Sequence, residues 1–213
     1  GMGYTRFHHH SQGIDQELTI FVPINDNIKI SLVRLKNDSK EGRKISLFYY
    51  IRPVLGVSDE ETDRLLETDV EDSVFIVKNS ANSEFKNSTL FISSSEKIHS
   101  YTGDRKEFIG SFPNYESPDG IQRGSLSNRV GFGYNTCAAI RIDINLLPNE
   151  TKEFTFLMGV EEKLEKGLEL INKYKDVQYA KKSLKEVEQF WNQILSTIQV
   201  NTPDKTMNYM INN

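Results

Sequence analysis

Several arginines and aromatic residues in loops of the central part of the chain are the strongest candidates for binding chemistry. Each arginine lies close to a glycine, a proline or an acidic residue. An arginine guanidinium donates forked hydrogen bonds to sugar hydroxyls, carboxylates or phosphate, and an aromatic ring can stack on the face of a sugar. The candidate binding residues are Arg52, Arg64, Arg105, Phe112, Tyr115 and Arg123. The alternative interpretation is that they are ordinary surface arginines and residues of loop packing.

Catalytic residues are not predicted. Acidic side chains are dense at residues 59–63 and 69–72. Glycosidase chemistry needs two carboxyl groups facing each other across a sugar, and adjacent acids in one loop cannot provide that geometry. Both runs therefore indicate solvated loops. The single cysteine, Cys137, begins an apolar strand, which predicts a buried and unreactive thiol.

Metal and cofactor sites are not predicted either. His8, His9 and His10 suggest a metal site at first sight. Neighbouring side chains of a strand point to opposite faces, so three consecutive histidines cannot converge on one ion. Gly131-Phe132-Gly133 is not followed by a helical pattern and does not indicate a phosphate-binding loop.

Alternation of apolar and polar residues predicts a mainly β region from Tyr4 to about Val160. Residues 28–35 and 45–51 flank a polar turn, and this pattern predicts a hairpin. Further strands are predicted at 18–22, 73–79, 89–93, 138–144 and 153–159. Residues 103–133 show no period and are predicted to be long ordered loops, which usually carry functional or docking residues.

After Glu161 the pattern has the period of a helix. Leu164, Leu168 and Ile171 begin it, and a helix of about five turns follows. Its apolar stripe comprises Ala180, Leu184, Val187, Trp191, Ile194, Leu195 and Ile198. The stripe is expected to pack against the sandwich or the preceding helix.

A second helix start follows at Thr202-Pro203-Asp204, with Thr202 as N-cap and Pro203 in the first turn. Because the apolar face after it is only begun at residue 213, we expect a longer helical unit to continue it.

Composition excludes several classes of protein. The 213 residues include 37% hydrophobic residues, enough for one large domain with a core, or for one domain plus a small appendage. The net charge of −4 gives no electrostatic reason to expect a nucleic-acid partner. One cysteine cannot form an intrachain disulfide. The sequence contains no run of the ~20 apolar residues that a membrane-spanning helix needs.

Short segments along almost the whole chain, in the same order, are shared with one enzyme family. They are Gly3-Tyr4-Thr5-Arg6-Phe7-His8-His9, Gly13-Ile14-Asp15-Gln16-Glu17-Leu18, Phe21-Val22-Pro23, Val54-Leu55-Gly56, Asp104-Arg105-Lys106-Glu107-Phe108-Ile109-Gly110, Arg123-Gly124-Ser125-Leu126-Ser127-Asn128 and Thr202-Pro203-Asp204. Together they resemble the N-terminal β-domain of glycoside hydrolase family 94, which includes cellobiose and chitobiose phosphorylases and the C-terminal part of cyclic β-1,2-glucan synthases. The segments 54–56 and 137–139 are most similar to the synthase branch.

The resemblance implies a large two-sheet antiparallel supersandwich, similar to galactose mutarotase, followed by linker α-helices. It implies three parts: the supersandwich at 1–160, a helical linker at 161–200, and the start of a truncated (α/α)6 barrel at 201–213. In this family the barrel carries a catalytic aspartate, which acts as general acid while inorganic phosphate attacks the anomeric carbon. The chain itself is therefore expected to be non-catalytic, with no cofactor.

The function implied is that of a domain that supports the barrel and borders its sugar-binding cleft. Its implied partners are the barrel of the same polypeptide and a β-glucan oligosaccharide, with a homodimer as a further option. The implied location is the cytoplasm or the cytoplasmic part of a membrane-bound synthase. Two alternatives stay open. A stand-alone carbohydrate-binding module would need an exposed row of aromatic residues, and a mutarotase-like enzyme would need a converging histidine and glutamate.

Overall fold

The computed structural model describes residues 3–212. The strands within them are β1 (Tyr4–Ser11), β2 (Ile14–Phe21), β3 (Ile28–Asn37), β4 (Arg43–Ile51), β5 (Glu67–Glu71), β6 (Val74–Lys78), β7 (Thr89–Ser94), β8 (Ile98–Asp104), β9 (Thr136–Leu146) and β10 (Thr151–Glu161). The helices are α1 (Asp59–Thr62), α2 (Arg105–Ile109), α3 (Asp119–Arg123), α4 (Leu164–Tyr174), α5 (Val177–Leu195) and α6 (Lys205–Asn212).

The strands form two antiparallel sheets packed face to face. The larger sheet has seven strands in the order β1-β2-β3-β10-β7-β6-β5, and the smaller has three in the order β4-β9-β8. Alternate side chains of both sheets point into the space between them, where Phe75, Ile92, Ile140, Ile142 and Phe154 are fully buried. The prediction of a mainly β, two-sheet antiparallel sandwich followed by helices is confirmed.

The predicted hairpin of residues 28–35 and 45–51 is wrong. β3 pairs with β2 and β10 in the larger sheet, whereas β4 pairs with β9 in the smaller one. The turn between them carries the chain from one sheet to the other. The turn is held by the buried Asn37, whose side-chain Nδ2 donates to the carbonyl oxygens of Glu41 at 2.7 Å and Leu147 at 3.1 Å. Alternation fixes which face of a strand is buried, but it does not fix the partner strand.

Helices α4 and α5 cover the outer face of the larger sheet. Ile171, Tyr174 and Val187 are buried there against a second apolar cluster of the sheet. The predicted docking of the long helix is thus confirmed for its first turns and as far as Trp191, which packs partly buried on the same cluster. Its end differs from the prediction, because Ile194 is 47% exposed and extends past the sheet.

Helix α6 begins two residues later than predicted. Asp204, and not Thr202, has the N-cap role, since its Oδ1 accepts a hydrogen bond from the Thr206 amide at 2.9 Å. Thr202 instead forms two hydrogen bonds with the Asn208 side chain. The Thr202 hydroxyl donates to Asn208 Oδ1 at 2.8 Å, and the Thr202 carbonyl accepts from Asn208 Nδ2 at 2.9 Å. The apolar side chains of α6 are exposed.

Candidate functional site

Residues 105–127 pack over the outer face of the smaller sheet against Phe48 and Tyr50, and residues 128–135 continue along the edge of β8, where Gly131 pairs with Thr68 of β5. We call residues 105–135 together with Tyr50 the loop surface. It contains α2 and α3, so the prediction of loops alone over 103–133 is wrong at residues 105–109 and 119–123. It lies at the end of the sheet where β9 begins, since the Arg105 amide donates to the Asn135 carbonyl at 2.8 Å.

Helix α2 is anchored by its apolar side. Asp104 caps it, accepting from the Lys106 amide at 2.9 Å. Phe108 is buried and stacks on Tyr50 of β4 with ring centroids 4.9 Å apart. Gly110 ends the helix at φ +98°, and a β-carbon there would lie 2.8 Å from an Asp119 carboxylate oxygen. Glycine is therefore needed both for the backbone angle and for the close approach of α3.

Arg105 is fixed in place beneath an exposed aromatic residue. Its Nη2 donates to the Tyr115 hydroxyl at 2.9 Å, and this hydrogen bond raises the pKa of the guanidinium. Burial raises the pKa of the neighbouring Tyr50 hydroxyl, which the Arg105 charge only partly offsets. The Arg105 Nε and the Tyr50 hydroxyl are both buried, and the Arg105 guanidinium interacts with the hydroxyls of Tyr50 and Tyr115. Arg105 is therefore a cation positioned by two tyrosine hydroxyls.

Glu107 connects the two short helices to the sheet. Its carboxylate accepts hydrogen bonds from the Thr102 hydroxyl at 2.6 Å and from the Ser127 amide and hydroxyl at 2.8 and 2.7 Å. Burial alone would raise the pKa of Glu107, but these bonds and the Arg123 charge lower it below its usual value. Arg123 also donates to the Glu107 carbonyl. Arg123 thus holds α3 against α2.

Arg52 lies at the same end of the sheet, beside the loop surface. It forms ion pairs with Asp59 and, at 3.8 Å, with Asp63. Asp63 in turn accepts from the Thr136 amide at 3.2 Å, which ties this segment to the start of β9. The prediction of a solvated loop at 59–63 is wrong, because these acids form the capped helix α1 and two of them pair with Arg52. Arg64 is exposed and forms no ion pair within the described residues.

The predicted aromatic residues project away from the protein. Phe112 is 91% exposed, and Tyr115 is 65% exposed although its hydroxyl is held by Arg105. The structure thus brings Arg105, Phe112, Tyr115 and Arg123 onto one surface. It places Arg52 beside that surface and leaves Arg64 outside the hydrogen-bonded group.

Sequence reasoning missed three further residues of this surface. Arg129 pairs with Asp104 at 3.1 Å and lies over the Tyr134 ring at 5.8 Å. Phe132, between Gly131 and Gly133, is 64% exposed. The signal available was the alternation of glycine with aromatic residues at 131–134, which is typical of an aromatic side chain presented on a turn.

The other candidate groups are outside this surface. His8 lies on strand β1 and pairs with Asp15 at 2.5 Å, and Asp15 also pairs with Arg34. Cys137 is buried as predicted, and burial raises the pKa of its thiol. In residues 3–212, no group of three histidine, cysteine or acidic side chains is arranged to hold a metal. None of the helices there has both the length and the apolar character that crossing a membrane requires.

A family model of the glycosyl hydrolase 94 supersandwich domain matches residues 1–177, as far as the first residue of α5. The chain belongs to this family. The match includes both sheets, the loop surface and α4. This assigns the exposed arginine and aromatic residues to a domain of carbohydrate-active enzymes.

Curated relatives of this supersandwich domain are much longer proteins. This chain is 25% identical over 229 residues to N,N'-diacetylchitobiose phosphorylase of Vibrio furnissii, and the match covers 100% of this chain and 27% of the relative. It is 25% identical over 217 residues to the cyclic beta-(1,2)-glucan synthase NdvB of Rhizobium meliloti strain 1021, covering 100% of this chain and 8% of the relative. The chain therefore spans about a quarter or less of the length of these two relatives.

A solved structure supports the fold independently. A bacterial glucoamylase complexed with acarbose superposes with a TM-score of 0.57 at 13% identity, covering 90% of this chain and 27% of that one. At this identity the likeness concerns the fold of the supersandwich domain alone.

Proposed function

We propose that this chain is the non-catalytic supersandwich domain of an inverting glycoside phosphorylase or of a cyclic β-1,2-glucan synthase type of enzyme. In this proposal the domain supports an (α/α)6 barrel of the same polypeptide, and the loop surface borders the barrel's sugar-binding cleft. Residues 1–160 are the supersandwich, 161–200 the helical linker and 201–213 the start of the barrel.

The observation that carries the proposal is the exposed aromatic pair on a rigid support. Phe112 gives almost its whole ring to solvent, while Phe108, four residues earlier, is buried and stacked on Tyr50. The exposed Phe112 ring is available for contact with a partner or a sugar, and the positioned Arg105 guanidinium belongs to the same loop surface. Sugar rings present an apolar C–H face and a rim of hydroxyls, so a fixed ring and a fixed donor together match them.

The polar part of the surface still has free hydrogen-bonding capacity. A guanidinium has five N–H donors, and within the described residues Arg105 interacts with two protein acceptors, the Tyr115 hydroxyl at 2.9 Å and the buried Tyr50 hydroxyl. Arg123 is half-exposed beyond its bonds to Glu107. Both arginines can therefore donate to hydroxyls of a β-glucan oligosaccharide without losing the contacts that position them.

The proposal includes the absence of catalysis by residues 1–213 on their own. The acids nearest to the loop surface are already committed: Glu107 to Thr102 and Ser127, Asp104 to Arg129 and the start of α2. We expect no phosphate-dependent cleavage of sophorose or of cellobiose oligomers by the purified chain. Release of a sugar phosphate by the chain alone would contradict this part of the proposal.

The test of the cleft role uses the complete parent enzyme. Arg105→Ala should lower kcat/KM for the natural sugar by about ten-fold, which corresponds to about 1.4 kcal/mol, mainly through KM. Arg6→Ala is the matched control, because Arg6 is a partly exposed arginine on β1, paired with Glu17 and Thr19 on the outer face of the larger sheet. Equal kinetics for both variants, with the fold intact, would show that the loop surface does not serve the cleft.

A stand-alone carbohydrate-binding module remains the alternative, favoured by the exposure of the aromatic side chains Phe112, Tyr115 and Phe132. Titration of the isolated chain with a linear β-glucan oligosaccharide separates the two functions. A module would bind as tightly alone as within the parent enzyme, whereas a cleft wall would bind only when the barrel provides the opposite side.

The remaining partners follow from the same proposal. The loop surface of the isolated chain, uncovered by a barrel, is where we would expect a homodimer to form. We place the parent enzyme in the cytoplasm or, for a synthase, in the cytoplasmic part of a membrane-bound protein.

A further inference from the structure

The positioned arginines of the loop surface and its edge differ in how their charge is balanced. Three of them form ion pairs with carboxylates: Arg52 with Asp59 and Asp63, Arg123 with Glu107, and Arg129 with Asp104. Arg105 forms no ion pair within residues 3–212, and its guanidinium is held by the hydroxyls of Tyr50 and Tyr115. A tyrosine hydroxyl is neutral at pH 7, since its usual pKa is about 10. The two tyrosines therefore fix the Arg105 guanidinium without neutralising its charge.

The Tyr115 hydroxyl provides a second donor at the same place. It accepts a hydrogen bond from Arg105 Nη2 at 2.9 Å, and a hydroxyl that accepts one bond still has its own proton to donate. Tyr115 is 65% exposed, so that proton can be donated to a ligand from solution. A guanidinium N–H and a phenol O–H that lie side by side bind an anionic oxygen best, because hydrogen bonds to a charged acceptor are stronger than those to a neutral one.

The amount of positive charge indicates a carboxylate and not a phosphate. A phosphate monoester carries about −1.5 to −2 charges at pH 7, and the single guanidinium of Arg105 would balance only part of them. The charges of Arg123 and Arg129 are already shared with Glu107 and Asp104. A carboxylate carries one negative charge, and its two oxygens can accept from a guanidinium and a hydroxyl together. The sugars that carry a carboxylate are the uronic acids.

We propose that the loop surface binds the carboxylate of a hexuronate unit between the Arg105 guanidinium and the Tyr115 hydroxyl. This inference rests on the proposed function, because it names the class of sugar on a surface assigned to the sugar cleft. Phe112, 91% exposed on the same loop surface, is available for the apolar C–H face of a pyranose ring of the same saccharide. Arg105 is then the residue that distinguishes an acidic from a neutral sugar.

The test measures sugar binding to the complete parent enzyme by titration calorimetry. Glucuronate and glucose are the probes, because they differ only in the carboxylate at C6. We expect glucuronate to bind at least ~10-fold more tightly than glucose at neutral pH, as hydrogen bonds to a charged group predict. Arg105→Gln removes the charge and should reduce that ratio to about 1, with the affinity for glucose changed by less than about 3-fold. Arg6→Gln is the matched control on the outer face of the larger sheet and should preserve the ratio.

A second variant tests the same site without touching the guanidinium. Tyr115→Phe removes one hydroxyl from an exposed side chain, so it should leave the fold intact even if Arg105→Gln does not fold. It should lower the preference for glucuronate by about 3-fold. Equal affinities of the unaltered enzyme for the two sugars, or a preference that persists in both variants, would overturn the proposal.

Two further results distinguish this inference from the cleft role on which it rests. If Arg105→Gln weakens the binding of glucose and glucuronate equally, the cleft role holds and the carboxylate site is overturned. If the loss concerns inorganic phosphate in place of glucuronate, the anion is a phosphate and the carboxylate site is again overturned. The cleft role itself is contradicted by equal kinetics of Arg105→Ala and Arg6→Ala, as stated for the proposed function.

Discussion

The outer faces of the two sheets are covered in different ways. On the larger sheet, α4 and α5 bury Ile171, Tyr174 and Val187 against the strands. On the smaller sheet, the loop surface buries Phe108 but leaves Phe112 and Tyr115 exposed. The first cover uses its apolar side chains for stability, whereas the second keeps part of them available. This contrast is the reason for assigning binding to the smaller sheet.

Helix length explains how each cover is held. The 19 residues of α5 give a continuous apolar stripe that packs on a sheet. Helices of five residues, such as α2 and α3, have too few turns for a stripe and need polar anchors instead. Glu107 is that anchor, since it accepts from Thr102 of the sheet and from Ser127 of the following loop.

The largest expected effect removes the apolar anchor of the loop surface. Phe108→Ala deletes a buried ring stacked on Tyr50 and should lower the free energy of unfolding by about 3–5 kcal/mol. Chemical denaturation measures it. The companion variant Phe112→Ala, at a site 91% exposed, should change stability by less than about 0.5 kcal/mol. Equal losses in both would remove the distinction between the buried and the presented ring.

The next effect tests the helical cover of the larger sheet. Leu184→Ala should cost about 2–4 kcal/mol, because Leu184 is 7% exposed in the cluster between α5 and the sheet. Ile194→Ala, two to three turns later on the same stripe, should cost less than about 1 kcal/mol because the side chain is 47% exposed. Unchanged denaturation midpoints for Leu184→Ala would show that the helix is not docked.

The smallest expected effect is the pH dependence of the stability that Asp26 contributes through its bonds to helix α4. Asp26 accepts from the Tyr174 hydroxyl at 2.5 Å and from Lys173 at 2.6 Å. Burial alone would raise the pKa of Asp26, but these bonds and the Lys173 charge lower it below its usual value. Its stabilisation is therefore complete above the unfolded-state pKa of about 3.9 and is lost as the pH falls through the lower folded-state value.

Asp26→Asn should therefore destabilise the protein at pH 7 by about 1–2 kcal/mol, since a hydrogen bond to a charged acceptor is lost. The difference from the unaltered protein should shrink when unfolding is followed below about pH 4. A difference that stayed constant down to acid pH would show that the Asp26 charge does not contribute.

Prediction from sequence succeeded where a periodic pattern extended over many residues. Strands β3, β9 and β10 and helices α4 and α5 follow from alternation or from a helical stripe. Strand β5 was missed because its alternation, Glu67-Thr68-Asp69-Val70-Glu71, includes only one aliphatic residue among three acids, and such an acidic run predicts a solvated loop. The sheet-crossing turn at Asn37 was missed because it depends on a contact with Leu147, more than a hundred residues away.

The candidate site was predictable in its residue types but not in its organisation. Arg105 and Phe112 could be named from their loop context, but whether they meet depends on Glu107, whose partners come from β8 and from the loop after α3. No spacing in the sequence reports those bonds. The stacking of Phe108 on Tyr50 is likewise a contact between separate elements.

The most direct measurement of the central claim is the kinetics of the complete parent enzyme carrying Phe112→Ala. Leu147→Ala is the matched control, because Leu147 is also an exposed apolar residue, at 69%, but follows β9 at the opposite end of the smaller sheet. We expect Phe112→Ala to lower kcat/KM for the oligosaccharide by about five- to ten-fold, roughly 1–1.4 kcal/mol, with unfolding unchanged, and Leu147→Ala to leave it unaltered. Wild-type kcat/KM in the Phe112→Ala enzyme would contradict the assignment of the loop surface to the sugar cleft.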